Sequence, residues 1–290
     1  MATQKIAVAV IHGVGSQKAA FAKDFARRVR ERFAREIGSE VPNADQQLQI
    51  RGAHWAPVLE ELEKLLEARF HGMNLHWGEA RDIAIDLGGD AIAYQENSVV
   101  GVGQPGAYDA IHLTVAGTLS NLALEAGPGA PLCIVGHSLG TIIASNYVWD
   151  LQSGTVPPAV KAKIGNTDLE QLKTLTLLYT MGSPIAVWSL RFPDFGAPIT
   201  IPAHAKDHPW RKASEWVNFY DRDDVIGYPL KCLNDAYARA VTDDRQVNVG
   251  NLLTMWNPAS HVGYLQDGDV VGPVADSLVK LWRTVNQKVG

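Results

Sequence analysis

A serine between two glycines, Gly136-His137-Ser138-Leu139-Gly140, follows an apolar run at 132–135 and precedes a stretch at 139–150 that reads as a helix. Strand, sharp turn and helix in that order are the context in which a serine hydroxyl is lifted clear of a sheet to act as a nucleophile. Gly136 and Gly140 let the backbone turn and pack closely on both sides of Ser138. The helix opening at Leu139 aims its free amides and positive dipole end at the same place. The competing reading is a glycine-rich turn whose serine caps a helix. Near the start of the chain, a continuous apolar strand at 5–11 ends in His12-Gly13-Val14-Gly15. Acyl transfer through serine needs two backbone N–H groups directed at a developing oxyanion. One would come from Leu139 and the other from a glycine-bearing turn after an earlier strand, with Val14 ahead of Gly13 as the donor. Taken alone, the His-Gly turn reads equally well as a strand-to-helix connection.

Together these residues make the chain resemble the α/β-hydrolase superfamily, in particular its bacterial lipase- and esterase-like members with a His-Gly-x-Gly opening. The resemblance implies an α/β fold with a mostly parallel central sheet flanked by helices. It also implies a serine hydrolase whose partners follow in the order Ser, then Asp or Glu, then His. Three of the nine histidines follow Ser138, and an apolar strand breaking into an acidic loop, Glu215 to Gly227, precedes the last of them. Under that order the base is His261, in a loop leading to the final helix; its competing reading is an ordinary surface histidine. For the acid, Asp224 precedes Val225-Ile226-Gly227-Tyr228-Pro229, matching the family habit of an aspartate followed by small apolar residues and a proline. Asp224 is therefore preferred over Asp221, with Asp223 third. The two left over read as turn-formers that accept from nearby backbone amides.

The elements that must carry these groups alternate as an α/β fold requires. A helix is expected over 19–37, with Phe21, Phe25, Val29, Phe33 and Ile37 on one face and Lys23, Arg27, Arg28, Arg30, Arg32 and Arg35 on the other. That basic face reads as solvated, with contact to an anionic membrane surface as the lesser reading. A strand over 48–55 follows, then helices over 57–70, 79–95 and 107–126, a strand over 175–180 and a closing helix from about Pro273. The segment 183–215 breaks the pattern with five prolines and several aromatic residues. It reads as a small cap or acyl-pocket wall presenting Trp188 and Phe192, against an ordinary packed loop. His204 and His208 within it are expected to face solvent.

Composition bounds the rest. Apolar residues make up 46% and charged residues 20% of the 290, with a formal charge of −5. This fits one ordered α/β domain over 1–290 and argues against a nucleic-acid partner. The two cysteines, Cys133 and Cys232, have no metal-binding spacing and read as reduced, buried or semi-buried residues. The short apolar start followed by a His-Gly turn does not read as a signal peptide, so a cytoplasmic location is expected. Gly101-Val102-Gly103-Gln104-Pro105-Gly106 matches G-x-G-x-x-G, but only Val99 and Val100 stand where a full strand is needed. A nucleotide-binding oxidoreductase is thus the weaker alternative, alongside a hydrolase scaffold retired to a binding role. The acidic pairs Asp223-Asp224 and Asp267-Gly268-Asp269 read as turn chemistry, so no metal is expected. The reading that results is hydrolysis of a small-molecule acyl ester without a cofactor. Acyl length, alcohol and oligomeric state are left open.

Overall fold

Alternate residues of the first strand feed two separate cores. Ile6, Val8 and Val10 join one buried cluster, whereas Ala7, Ala9 and Ile11 join another. A strand buried on both faces belongs inside a parallel sheet covered by helices on each side. The computed structural model, which describes residues 3–14, 17–70, 88–95, 106–201, 208–249, 261 and 263–286, has that arrangement. Its strands are β1 (Ile6–Ile11), β2 (Leu48–Ala53), β3 (Leu132–His137), β4 (Leu175–Met181), β5 (Glu215–Asp221) and β6 (Asp243–Val247). They pair in the order β2-β1-β3-β4-β5-β6, and every neighbouring pair is parallel.

The helices are α1 (Lys23–Ile37), α2 (Pro57–Phe70), α3 (Asp90–Ala93), α4 (Ala107–Ala126), α5 (Leu139–Ser153), α6 (Pro158–Lys163), α7 (Ile185–Trp188), α8 (Asp235–Ala240) and α9 (Gly268–Asn286). On one face Phe25, Val29 and Phe33 of α1 meet Val274, Leu278 and Leu281 of α9. On the other, α4 and α5 supply Leu119, Leu122, Ile142 and Ile143. The chain leaves β1 for β2, then returns to the opposite side of β1 as β3. This reversal opens a crevice at the carboxyl ends of β1 and β3, where open α/β sheets bind ligands. His12 follows β1 and Ser138 follows β3 directly, so both sequence motifs arrive at that crevice.

The elements depart from expectation at their ends. α1 begins at Lys23 because Phe21 belongs to the preceding turn, its ring edge-on to His12 with centroids 4.7 Å apart. Its basic face is largely paired: Arg27 and Arg28 share Asp24, and Arg32 bonds Asp276 of α9. The guanidinium of Arg30 points at the carbonyls of Leu48 and Ile50. α9 starts at Gly268, five residues before Pro273, because the Asp267 carboxylate accepts from the Asp269 N–H at 2.7 Å and because Val270 and Val271 are buried. Of the helix expected over 79–95, only α3 and the residues beside it are described. Residues 101–105 of the G-x-G-x-x-G match, and His204, lie outside the described residues. Cys133 is buried as expected, but Cys232 is exposed, because it sits in the turn after Pro229 and not in either core. Among the described residues, no helix is long and apolar enough to cross a membrane.

Candidate active site

Ser138 has φ 53° and ψ −129°, a backbone conformation that residues with a side chain rarely adopt. Its surroundings hold it there. Ser138 N–H donates to the Met181 carbonyl on β4 at 3.0 Å, and the hydroxyl of Thr141 donates to the Ser138 carbonyl at 2.7 Å. A Cβ on Gly136 would meet the Gly140 carbonyl oxygen at 2.9 Å, and one on Gly140 would overlap the carbonyls of Ile11 and His12. Both glycines of the motif are therefore steric requirements of the turn. Gly13 is a third, since a Cβ there would lie 2.6 Å from that of Ser138.

His261 faces the serine. Its Nε2 lies 2.7 Å from Ser138 Oγ, and its Nδ1 lies 2.9 and 3.0 Å from the two carboxylate oxygens of Asp224. All three residues are buried. The chain order is Ser, Asp, His, at the carboxyl edge of a doubly wound parallel sheet, with the serine on a sharp strand–turn–helix turn. The fold is the α/β-hydrolase fold. A carboxylate only accepts, so the His261 proton resides on Nδ1, and Nε2 is left as an acceptor facing the Ser138 hydroxyl.

Asp224 is held from several sides. Burial alone would raise the pKa of its carboxyl, but bonds from His261, from the Ile226 N–H at 2.9 Å and from the Tyr264 hydroxyl at 2.8 Å outweigh burial and lower it. Tyr264, which the sequence reading did not single out, also accepts from the Asp221 N–H at 2.9 Å. Burial first and the adjacent carboxylate second push its phenol far above the ordinary range, so it stays a donor. Asp221 is not beside His261. Its Oδ2 accepts from the Val249 N–H at 2.6 Å and its Oδ1 from the Asp223 N–H at 2.8 Å, which makes it a turn-former as expected.

Tyr264→Phe removes a hydrogen bond to a charged group and should lower stability at pH 7 by about 2 kcal/mol. A carboxyl with a lowered pKa stabilises the fold above its unfolded pKa, and that contribution is lost as pH falls through the lowered value. The penalty measured by urea unfolding should therefore be larger at pH 7 than at pH 3. An equal penalty at both would assign it wholly to the Asp221 amide.

The turn after β1 is fixed by His12. Its Nε2 accepts from the Trp55 N–H at 3.1 Å, so the proton resides on Nδ1, which donates to the Gly13 carbonyl at 2.7 Å. Burial drives its pKa down to about 4 and keeps the ring neutral. Because a trans peptide points its N–H opposite its carbonyl, this bond turns the Val14 N–H away from His12. Leu139 occupies the first position of α5, where a backbone N–H has no intrahelical acceptor. Gly13, Val14, Phe21 and Leu265 border a cavity of about 530 Å³ in front of Ser138 and His261.

Trp188 and Phe192 are placed elsewhere. They line a cavity of about 260 Å³ with Tyr108, Asn146 and Asp150, and neither Ser138 nor His261 borders it. The expected pocket wall is corrected on this point. After β4 the chain folds over the outer face of α5, with Ile185 and Ile199 in that core. Trp210 then joins the core on the opposite side of the sheet. His208 stacks on Trp210 with centroids 4.4 Å apart and so is not simply solvent-facing. Among the described residues, no three His, Cys, Asp or Glu side chains are grouped to hold a metal.

No protein-family model matches the chain, and no curated protein matches it. The solved structure of a dienelactone hydrolase from Anabaena variabilis aligns over 98% of this chain and 88% of its own, with 11% identity and a TM-score of 0.40. That likeness is one of overall shape, and the reading of the site rests on the geometry above.

Proposed function

We propose that this protein is a serine hydrolase that cleaves carboxylic esters through an acyl-enzyme. Ser138 Oγ attacks the ester carbonyl while His261 Nε2 takes its proton and passes it to the leaving alcohol. Water then attacks the acyl-serine, giving its proton to His261, and Ser138 leaves with a proton restored. Asp224 holds the His261 tautomer and stabilises the imidazolium, and the amides of Leu139 and Val14, with Gly13 behind, receive the oxyanion. The observation that carries this reading is the unbroken hydrogen-bond chain Asp224–His261–Ser138, with the serine held at positive φ. A scaffold retired to binding would have no need to keep that chain intact.

A series of p-nitrophenyl esters of rising acyl length tests it. If the cavity at Val14, Phe21 and Leu265 takes the acyl chain, burial at about 0.8 kcal/mol per methylene should raise kcat/KM about fourfold per carbon until the cavity is full. Phe21→Ala should flatten that climb. Trp188→Ala and Phe192→Ala should leave it unchanged, because their cavity does not reach the serine. No hydrolysis of any ester would remove the proposal, and a climb flattened by Trp188→Ala would return the second cavity to the substrate path.

A further inference from the structure

The residue before the serine makes a bond that the proposed mechanism has not used. His137 closes β3, and its Nε2 lies 2.7 Å from the backbone carbonyl oxygen of His261. A carbonyl only accepts, so His137 Nε2 carries the proton and donates it. The two imidazole rings are tilted against one another with centroids 5.1 Å apart, and the His137 ring also packs on Tyr264 at 5.8 Å. The side chain borders the same cavity as Ser138 and His261.

From this geometry we infer that His137 is a positioning residue. It ties the backbone of His261 to the strand that leads into Ser138, and so fixes the distance from His261 Nε2 to Ser138 Oγ. The inference rests on the serine-hydrolase reading of the site.

The Asp224 carboxylate fixes only how the His261 ring is oriented about Nδ1. It does not fix where the His261 backbone sits, and residues 123 positions apart must meet within a hydrogen bond. The His137 bond supplies that second restraint from the residue adjoining Ser138, on a strand paired along both edges. The Nε2–H donor would persist in a protonated ring, but a cation there would oppose the imidazolium of His261 during turnover, so the neutral form suits the site. Among the described residues, the groups facing it are His261, Asp224, His12 and Tyr264. Burial first, and the nearness of His261 second, lower its pKa well below the ordinary histidine range and outweigh the opposing pull of Asp224.

Two measurements test it. In protein labelled with ¹⁵N-histidine, neutral His137 should appear as the Nε2–H tautomer; the Nδ1–H tautomer, which leaves no proton facing the His261 carbonyl, would overturn the bond. In kinetics on the best ester, His137→Phe should lower kcat about 100-fold, the scale of a misplacement near 1 Å, with KM changed less than twofold. His137→Gln, whose amide reaches a similar point with an N–H, should recover kcat to within about fivefold of the wild type. Full kcat in the Phe variant would overturn the inference. So would equal losses in both variants, which would mark a purely structural role, or a raised KM at constant kcat, which would mark a substrate contact. Wild-type protein that shows the tautomer but neither hydrolyses esters nor reacts at Ser138 would remove the hydrolase reading and the positioning role with it, leaving only a tie within the fold.

Discussion

A fluorophosphonate probe should label Ser138 and no other serine, and Ser138→Ala should abolish labelling and lower kcat by about 10⁶-fold. The selectivity follows from geometry. Only a hydroxyl whose proton can pass to an adjacent imidazole attacks phosphorus readily at neutral pH, and Ser138 Oγ lies 2.7 Å from His261 Nε2. Loss of the nucleophile from a triad costs on the order of 10⁶ in kcat, and what survives comes from oxyanion stabilisation and binding. Mass spectrometry of the labelled protein locates the modified peptide. The variant should fold as the wild type does, since the bonds that hold the elbow come from the backbone of Ser138 and from Thr141, not from the serine hydroxyl. Intact wild-type protein left unlabelled between pH 7 and 8 would remove the enzyme reading, as would a Ser138→Ala variant labelled at the wild-type rate.

Asp224→Asn should lower kcat by about 10⁴-fold, the scale of the loss when the orienting carboxylate of a triad is neutralised. Asn cannot hold the Nδ1–H tautomer with both of its terminal atoms, so His261 would present the wrong nitrogen state to the serine. Asp221→Asn should behave differently. Its carboxylate accepts from the Val249 and Asp223 amides, so the change should cost stability of about 1–2 kcal/mol and leave kcat within a few-fold. Parallel urea-unfolding curves and steady-state kinetics on the two variants separate the roles. A large kcat loss in Asp221→Asn with near-normal Asp224→Asn would transfer the orienting role to Asp221.

Much of the candidate site was legible in the sequence because its signals are local. The Gly136 to Gly140 turn sits between an apolar strand and a helix, and its two glycines are demanded by contacts with the adjacent turn and the end of β1. Chain order then left His261 as the one histidine able to follow the acidic loop. The continuous burial of β1 and the four-residue spacing of α1 were likewise written in residue type, since a strand covered on both faces must be apolar throughout.

Elements without a pattern of their own were not legible. β6, with the sequence Asp243-Asp244-Arg245-Gln246-Val247, has no apolar alternation and is a strand only because β5 offers it an open edge. The cap segment reads as an apolar wall from its prolines and aromatics, but composition does not say which cavity they face. Packing on α5 sends Trp188 and Phe192 to a second cavity, away from the serine. Residue types and their near-neighbour spacing were enough for the turn at Ser138 and the alternation of strands and helices, and the resemblance these carry implied the parallel sheet and the short list of partners for Ser138. Asp224 was already preferred over Asp221 on the resemblance, and the folded chain adds its contact with His261; Tyr264, His12 and His137 emerge as supports of the site only in the folded chain. The difference is one of range. Steric and periodic rules act between residues a few positions apart and are visible in residue type, whereas a hydrogen bond between groups 37 or 124 positions apart exists only once the sheet has placed both ends.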